Sequence, residues 1–148
     1  MSSPPVTPHQ VELVQQSWEK VRPIADQAAE LFYGRLFYLD PSLKPLFKGD
    51  MTEQGRKLMQ TLGVAVASLT RLDAILETVR GLGRKHVDYG VPDESYATVG
   101  QALLWTLEQG LGDAFTEETR QAWTNTYVTL SNVMLEASNE YRLAGEAV

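Results

Sequence analysis

The chain has 148 residues, of which 43% are hydrophobic and 22% charged, and this composition predicts one soluble globular domain over residues 1–148. A formal net charge of -6 without a basic cluster argues against nucleic acid and anionic membranes as partners. The absence of cysteine excludes disulfides, thiolate metal sites and thioether-linked cofactors. The sequence starts without a secretory signal and has no apolar run that could span a bilayer, so we expect a cytoplasmic protein.

Hydrophobic residues recur at spacings of three and four along the chain, which indicates helices throughout and no strand. Threonines, prolines and glycines mark the expected helix boundaries. The first predicted helix is capped by Thr7 and ended by Pro23, the second runs from Ile24 to Tyr38, and a short helical turn follows from Pro41 to Phe47. The next helix is capped by Thr52 and reaches Leu69, and another runs from Leu72 or Asp73 to Gly90. The last two are a helix with Pro92 in its first turn that reaches Leu111, and a helix capped by Thr116 that reaches Tyr141. We therefore expect an all-α domain of six or seven helices, with a helical core over about residues 8–141 and frayed termini.

The chain has two histidines, and His86 is the one near the end of a predicted helix. His9 lies beside prolines at the first helix turn, where we expect it to be solvated. A histidine placed like His86 most often complements the negative end of its helix. A structural zinc site needs about four ligands, and the sequence has neither a phosphate-binding glycine loop nor a nucleophile elbow. Haem needs only one axial ligand from a protein, so the composition is compatible with a haem site at His86.

Several short motifs on both sides of His86 resemble those of globins, in the same order and at the same spacing. They are Leu31-Phe32-Tyr33, Asp40-Pro41, Leu46-Phe47, Arg56-Lys57-Leu58-Met59, Leu82-Gly83-Arg84-Lys85-His86, Tyr96-Ala97-Thr98-Val99-Gly100, Leu103-Leu104, Phe115-Thr116, Ala122-Trp123 and Tyr127. The resemblance covers about residues 8–138 and is greatest to neuroglobin and to the globin domain of bacterial flavohaemoglobins. It implies the globin fold, a three-over-three helical sandwich around a non-covalent haem b.

The resemblance assigns one group of residues to the proximal side of the haem. His86 matches the histidine that ligates the iron, and Leu82, Val91 and Tyr96 match positions that line the cofactor. Tyr96 and Glu140 also align with a tyrosine and a glutamate that flank this histidine in flavohaemoglobins. A carboxylate near the second imidazole nitrogen makes the ring a stronger donor to iron, which favours O2 activation over storage. The alternative interpretation of Glu140 is a solvated acid at a helix end.

Five further residues match the distal side and the rim of the globin pocket. Phe47 matches an aromatic residue packed on the haem face, and an ordinary core aromatic is the alternative. Gln54 stands at the distal position that a histidine often holds, and Leu58, one turn later, matches the apolar wall beside a bound gas. Tyr33 matches the distal tyrosine of flavohaemoglobins. Lys57 matches a rim position that can pair with a haem propionate, and a solvated surface lysine is an equal alternative.

The glutamine at position 54 departs from neuroglobin, which closes its sixth iron position with a distal histidine. The resemblance therefore implies an open site for O2, CO or NO, unless Tyr33 or Lys57 ligates the iron. Hydrogen bonds from Tyr33 and Gln54 would then produce high O2 affinity and slow release. The alternatives are a nitric oxide dioxygenase that detoxifies NO with a separate reductase, a gas or redox sensor, and, more weakly, a cofactor-free or bilin-binding relative.

Overall fold

Capping side chains, prolines and glycines divide the chain into α-helices in a computed structural model that describes residues 6–146. The helices are α1 (Pro8–Val21), α2 (Ala25–Leu39), α3 (Met51–Ala67), α4 (Leu76–Asp88), α5 (Ser95–Leu111) and α6 (Glu117–Glu146). Short 3-10 helices cover Arg22–Ile24, Pro41–Leu46, Leu69–Ala74 and Gly112–Ala114. Residues 6–146 contain no strand, and the all-α class predicted from the sequence is confirmed. None of the helices in this part of the chain is both long and apolar enough to cross a membrane.

Side chains cap three of these helices at their N-termini. Thr7 begins α1 with a capping box, in which its hydroxyl accepts from the Gln10 amide at 3.1 Å and the Gln10 side chain accepts from the Thr7 amide at 3.2 Å. Thr116 accepts from the third residue of α6 at 3.2 Å, so both predicted caps are confirmed. The prediction of Thr52 as a cap is wrong, because the Asp50 carboxylate accepts from the Thr52 amide at 2.9 Å. A carboxylate there also complements the positive end of α3.

Three helix boundaries differ from those expected. Helix α4 begins later, at Leu76, because Leu69–Ala74 form a 3-10 helix interrupted at Arg71 (φ -149°, ψ 58°), and Ile75, with φ -115° and ψ 5°, is the N-cap. Helix α5 begins at Ser95, whose amide donates to the Pro92 carbonyl at 3.1 Å, so Pro92 belongs to the preceding turn and not to the helix. Helix α6 continues past Tyr141 to the end of the described chain. The later starts of α4 and α5 are explained by local turns, which the spacing of hydrophobic residues does not encode.

The core is formed mainly where α1, α2, α5 and α6 meet. The rings of Trp18 on α1 and Trp123 on α6 lie 6.2 Å apart, and the Trp123 indole N–H donates to the Ser17 hydroxyl at 2.8 Å. This bond satisfies a polar group that would otherwise be buried without a partner. Helix α4 packs on α6, α2 packs on α5, and α2 also contacts α3. Helix α4, which carries His86, is thus held mainly by α6, whereas α3, which carries Gln54 and Leu58, is held mainly by α2 and α1.

Two glycines allow these helices to approach their neighbours closely. A Cβ atom added at Gly55 on α3 would lie 2.9 Å from the Cβ atom of Ala29 on α2. A Cβ atom added at Gly83 on α4 would lie 2.3 Å from the carbonyl oxygen of Met134 on α6. Both distances are shorter than side chains tolerate without displacement of a neighbour. The two contacts therefore set how near α3 and α4 lie to the rest of the fold.

Candidate functional site

His86 is half-buried in the last turn of α4. Its Nδ1 lies 2.6 Å from the carbonyl oxygen of Leu82, and because a carbonyl only accepts, Nδ1 carries the proton and donates. This tautomer leaves the lone pair of the neutral ring on Nε2, where a metal ion could bind. Burial lowers the pKa of His86, and the hydrogen bond to Leu82 opposes that shift. The lowered pKa favours the neutral imidazole that metal ligation requires.

The other predicted proximal residues lie around this imidazole. The ring centroid of Tyr96 is 6.0 Å from that of His86, and the ring centroid of the exposed Tyr89 is 5.8 Å from it. The Val91 amide donates to the His86 carbonyl at 3.0 Å, which folds the following loop back against the end of α4. The structure therefore brings Leu82, His86, Val91 and Tyr96 together, while their roles toward a cofactor stay predictions.

The hydroxyl of Tyr96 is a buried polar group near the imidazole. It lies near the side chain of Ser138 but makes no hydrogen bond of normal geometry within residues 6–146. Burial raises the pKa of Tyr96 most, and nearby Asp93 raises it further, whereas Ser138 and Arg142 act in the opposite direction. A buried hydroxyl without a partner costs roughly 1–3 kcal/mol. This oxygen can therefore still accept or donate a hydrogen bond beside His86.

Glu140 lies apart from His86, on an exposed part of α6. Its carboxylate forms an ion pair with Arg80, whose guanidinium also lies 3.9 Å from Glu136. The Nδ1 atom of His86 binds the neutral Leu82 carbonyl instead. An exposed carboxylate avoids the desolvation cost that entry into the apolar interior would carry. Within residues 6–146, Glu140 thus pairs with Arg80 and the imidazole Nδ1 with Leu82, and the role of Glu140 toward a cofactor stays a prediction.

Tyr33 on α2 is buried in a cluster of aromatic rings. Its ring centroid lies 5.2 Å from that of Phe32, 6.0 Å from that of Phe37 and 5.3 Å from that of Phe47. The hydroxyl donates to the carbonyl oxygen of Gln54 at 3.3 Å, which is long for an O–H···O hydrogen bond. Burial raises the pKa of Tyr33 to about 12, so the hydroxyl keeps its proton at neutral pH. Tyr33 is thus a neutral donor held by a weak bond.

Gln54 lies in the first turn of α3 and is half-buried. Its side-chain Nε2 donates to the carbonyl oxygen of Lys48 at 3.1 Å, in the loop before the helix. The amide nitrogen carries two protons, so it can donate to a second acceptor as well. Leu58 is half-buried one turn further along α3, whereas Lys57 is exposed. Tyr33, Phe47 and Gln54 are thus joined by direct contacts, and Leu58 shares the helix of Gln54.

The residues of the two groups fit a haem in their chemistry. His86 offers one neutral imidazole nitrogen, and haem needs one such axial ligand because its other four nitrogens are its own. Tyr33 and Gln54 offer a small number of polar donors, which is typical of a mainly apolar pocket. Both groups are accompanied by apolar side chains that are only half-buried and so keep surface available to an apolar cofactor: Leu46, Phe47, Leu58, Leu62, Leu82, Val87, Val91, Val99 and Leu104.

Ser138 on α6 is a residue near the proximal group that sequence reasoning missed. It is 1% exposed, and its Oγ lies 2.8 Å from the carbonyl oxygen of Gly83 and 2.9 Å from that of Met134. A serine within a helix carries no sequence signal for a partner on another helix. The signal that was available is Gly83 inside α4, because glycine is unfavourable in a helix interior and its presence there indicates that another backbone, here that of α6, packs closely.

Comparisons with known proteins show the family and the fold of this chain. The family model described as Globin matches residues 30–134. Neuroglobin of Chaenocephalus aceratus is 35% identical over 78% of this chain and 82% of its own length, and neuroglobin of Danio rerio is 34% identical over 82% and 86%. The structure of a bacterial globin from Campylobacter jejuni superposes with a TM-score of 0.80 at 23% identity, covering 92% of this chain and 99% of that chain. A hexacoordinated haem protein from an anhydrobiotic tardigrade superposes with a TM-score of 0.83 at 19% identity, covering 91% and 96%.

Proposed function

The chain belongs to the globin family, and we propose that it binds haem through His86 and takes up small gases, O2 above all, reversibly. The observation that carries the proposal is the His86 imidazole, whose proton is held on Nδ1 by Leu82 so that Nε2 is left for iron. Haem, held by His86, would supply an iron that could bind a small gas. We expect haem b without a covalent link, since the chain has no cysteine.

Residues of both groups would hold the cofactor. Leu82 and Val91 are half-buried beside His86, and Phe47 and Leu58 are half-buried near the distal donors. Covering such side chains with an apolar ring contributes roughly 25 cal/mol for each Å² removed from water. Lys57 is exposed, so its pairing with a propionate would add only ~0–1 kcal/mol.

Tyr33 and Gln54 would supply hydrogen bonds to the gas. Tyr33 keeps its proton and is held only by a 3.3 Å bond, and Gln54 has a second amide proton beyond the one given to Lys48. O2 accepts hydrogen bonds better than CO does, so these donors favour O2. A hydrogen bond to a charged or strongly polarised acceptor contributes roughly 1.5–3 kcal/mol, which slows release about tenfold or more. High O2 affinity with slow release follows.

The proximal side favours reversible binding over O2 activation. The His86 proton goes to a neutral backbone carbonyl, and the carboxylate of Glu140 pairs with Arg80 instead. A carboxylate on the imidazole would make the ring a stronger donor to iron, and this chain offers a carbonyl in that place. The alternative of an NO dioxygenase that works with a separate reductase is favoured by one observation, the buried Tyr96 hydroxyl near His86.

Absorption spectroscopy of the purified protein tests the proposal. We expect stoichiometric haem and distinct spectra for the ferrous protein alone, with O2 and with CO. A protein that binds no haem would overturn it. Mixing the O2-loaded protein with excess NO and a flavin reductase separates the two functions, because a dioxygenase would consume NO over many turnovers and a carrier would react once. The cytoplasmic location expected from the sequence stays a prediction.

A further inference from the structure

The α4–α6 contact lies one turn before His86. Gly83 is buried, and three backbone atoms of Met134 occupy the space that a Cβ atom at position 83 would need, at 2.3–2.9 Å. Such a contact leaves no room for a side chain between the two helix backbones. The distance between α4 and α6 at Gly83 is therefore set by contact between backbone atoms, which are less flexible than side chains.

Ser138 joins the two backbones at the same place. Its hydroxyl lies 2.8 Å from the Gly83 carbonyl oxygen on α4 and 2.9 Å from the Met134 carbonyl oxygen on its own helix. A hydroxyl has one proton, so it donates to these carbonyls in alternation or shares the proton between them, and its lone pairs can still accept. The bond to Gly83 is a buried polar link between α4 and α6 within the described chain.

The peptide group that Ser138 holds is next to the one that orients the imidazole. The Leu82 carbonyl accepts from His86 Nδ1, and the Gly83 carbonyl accepts from Ser138. Because each peptide group is planar and consecutive groups in a helix are rigidly related, fixing the Gly83 carbonyl also fixes the direction of the Leu82 carbonyl. The buried hydroxyl of Tyr96 lies near the same serine, and its ring lies 6.0 Å from the imidazole.

We propose that Ser138 is a positioning residue for His86, which sets the height and rotation of the imidazole by holding the Gly83 carbonyl against α6. The proposal rests on the proposed function, since the imidazole matters here as an iron ligand. Ser138 does not touch the imidazole. It acts through the Gly83 peptide group, and its lone pairs are available to the nearby Tyr96 hydroxyl. The serine thus replaces a carboxylate as the polar support of the proximal side.

Resonance Raman spectroscopy of the ferrous, gas-free, haem-loaded protein tests this proposal, because the iron–histidine stretching band reports directly on the imidazole. We expect Ser138→Ala to shift and broaden that band. Ser131→Ala is the matched control, since Ser131 is also buried on α6 and its hydroxyl donates to Val128 of the same helix at 3.2 Å. The control is expected to keep the wild-type band. Urea unfolding of both variants measures their loss of stability separately.

The outcomes are distinct. A band that stays unchanged in Ser138→Ala, with stability lowered as in the control, would mean a purely structural role and overturn the proposal. If Ser138→Ala does not load haem, Ser138→Thr decides, because it keeps the hydroxyl: a wild-type band supports the proposal, and a displaced band overturns it. A wild-type protein without any iron–histidine band would instead refute the proposed function, whatever Ser138 does.

Discussion

The proximal and distal groups of the candidate pocket differ in how their polar side chains are held. The imidazole of His86 is bound at 2.6 Å by a carbonyl of its own helix, and Ser138 supports the next carbonyl from α6. Tyr33 and Gln54 instead bind backbone carbonyls across element boundaries, at 3.3 Å and 3.1 Å. In the proposed function, the short local bond would pre-orient the iron ligand, whereas the longer bonds would be exchanged for bonds to a gas at small cost. The proximal group around His86 is therefore called the fixed side, and the distal group of Tyr33 and Gln54 the adaptable side.

The largest expected effect comes from removing the fixed ligand. In His86→Ala, haem affinity should fall by more than about 100-fold, since loss of second-shell partners alone costs 10–100-fold. Haem titration followed by absorption measures the change. His9→Ala is the matched control, because His9 is the other histidine of the chain and is exposed, with its Nε2 3.0 Å from the Glu118 carboxylate. Stoichiometric haem with an unchanged spectrum in His86→Ala would contradict the ligand assignment.

The next largest effect is a loss in the free energy of unfolding, which tests whether α4 is packed more tightly than α3. Gly83→Ala should lower the free energy of unfolding by about 3 kcal/mol or more, because the added methyl meets the Met134 backbone. Gly55→Ala should cost about 1 kcal/mol, since it meets one methyl group at 2.9 Å.

Gly34→Ala is the control for both glycine variants, because a Cβ atom at this exposed helical position meets nothing within 4 Å. It should stabilise the protein by roughly 0.5–1 kcal/mol. Urea unfolding measures all three variants. Equal losses for Gly83→Ala and Gly55→Ala would remove the difference in rigidity between the two helices.

The adaptable side is tested by O2 release. Tyr33→Phe should raise the O2 dissociation rate about tenfold or more, because it removes a neutral buried donor. Gln54→Leu should raise the rate by less, since the Gln54 amide is shared with the Lys48 carbonyl. Stopped-flow measurement gives both rates, and CO release serves as the control that should change least. Little change in O2 release for either variant would sink the hypothesis of distal donors.

The last effect is a pH dependence from Tyr33, which appears only at alkaline pH. Its pKa is raised from 10.0 to about 12, so between these values the folded protein keeps a proton that the unfolded chain loses. Stability from this group is full below pH 10.0 and falls as the pH rises toward about 12, by at most about 1.4 kcal/mol per pH unit. Tyr33→Phe should fall less steeply in urea unfolding across this range. Identical slopes would mean that the hydroxyl is not buried as described.

Much of the helical pattern was predictable, and particular residues show where prediction ended. Thr7 and Thr116 cap their helices as expected, because an N-cap depends on residues close in sequence. Asp50 competes with Thr52 for the start of α3, and both are good capping types, so local preference did not decide between them. The turn at Arg71 and the loop after α4 have no hydrophobic period, which explains the boundaries that differ.

The candidate site divides in the same way. The sequence by itself singled out His86 as the candidate ligand. Its hydrogen bond to Leu82 follows from local helix geometry, because a helix places a side chain beside the carbonyl four residues earlier. Only the tertiary structure decided that Glu140 pairs with Arg80, that Gln54 reaches Lys48 and that Ser138 holds α4 against α6. The Arg80–Glu140 and Ser138–Gly83 contacts join α4 to α6, and their formation depends on how closely the two helix backbones approach. That distance is set by packing of the whole core, which no local pattern of residues encodes.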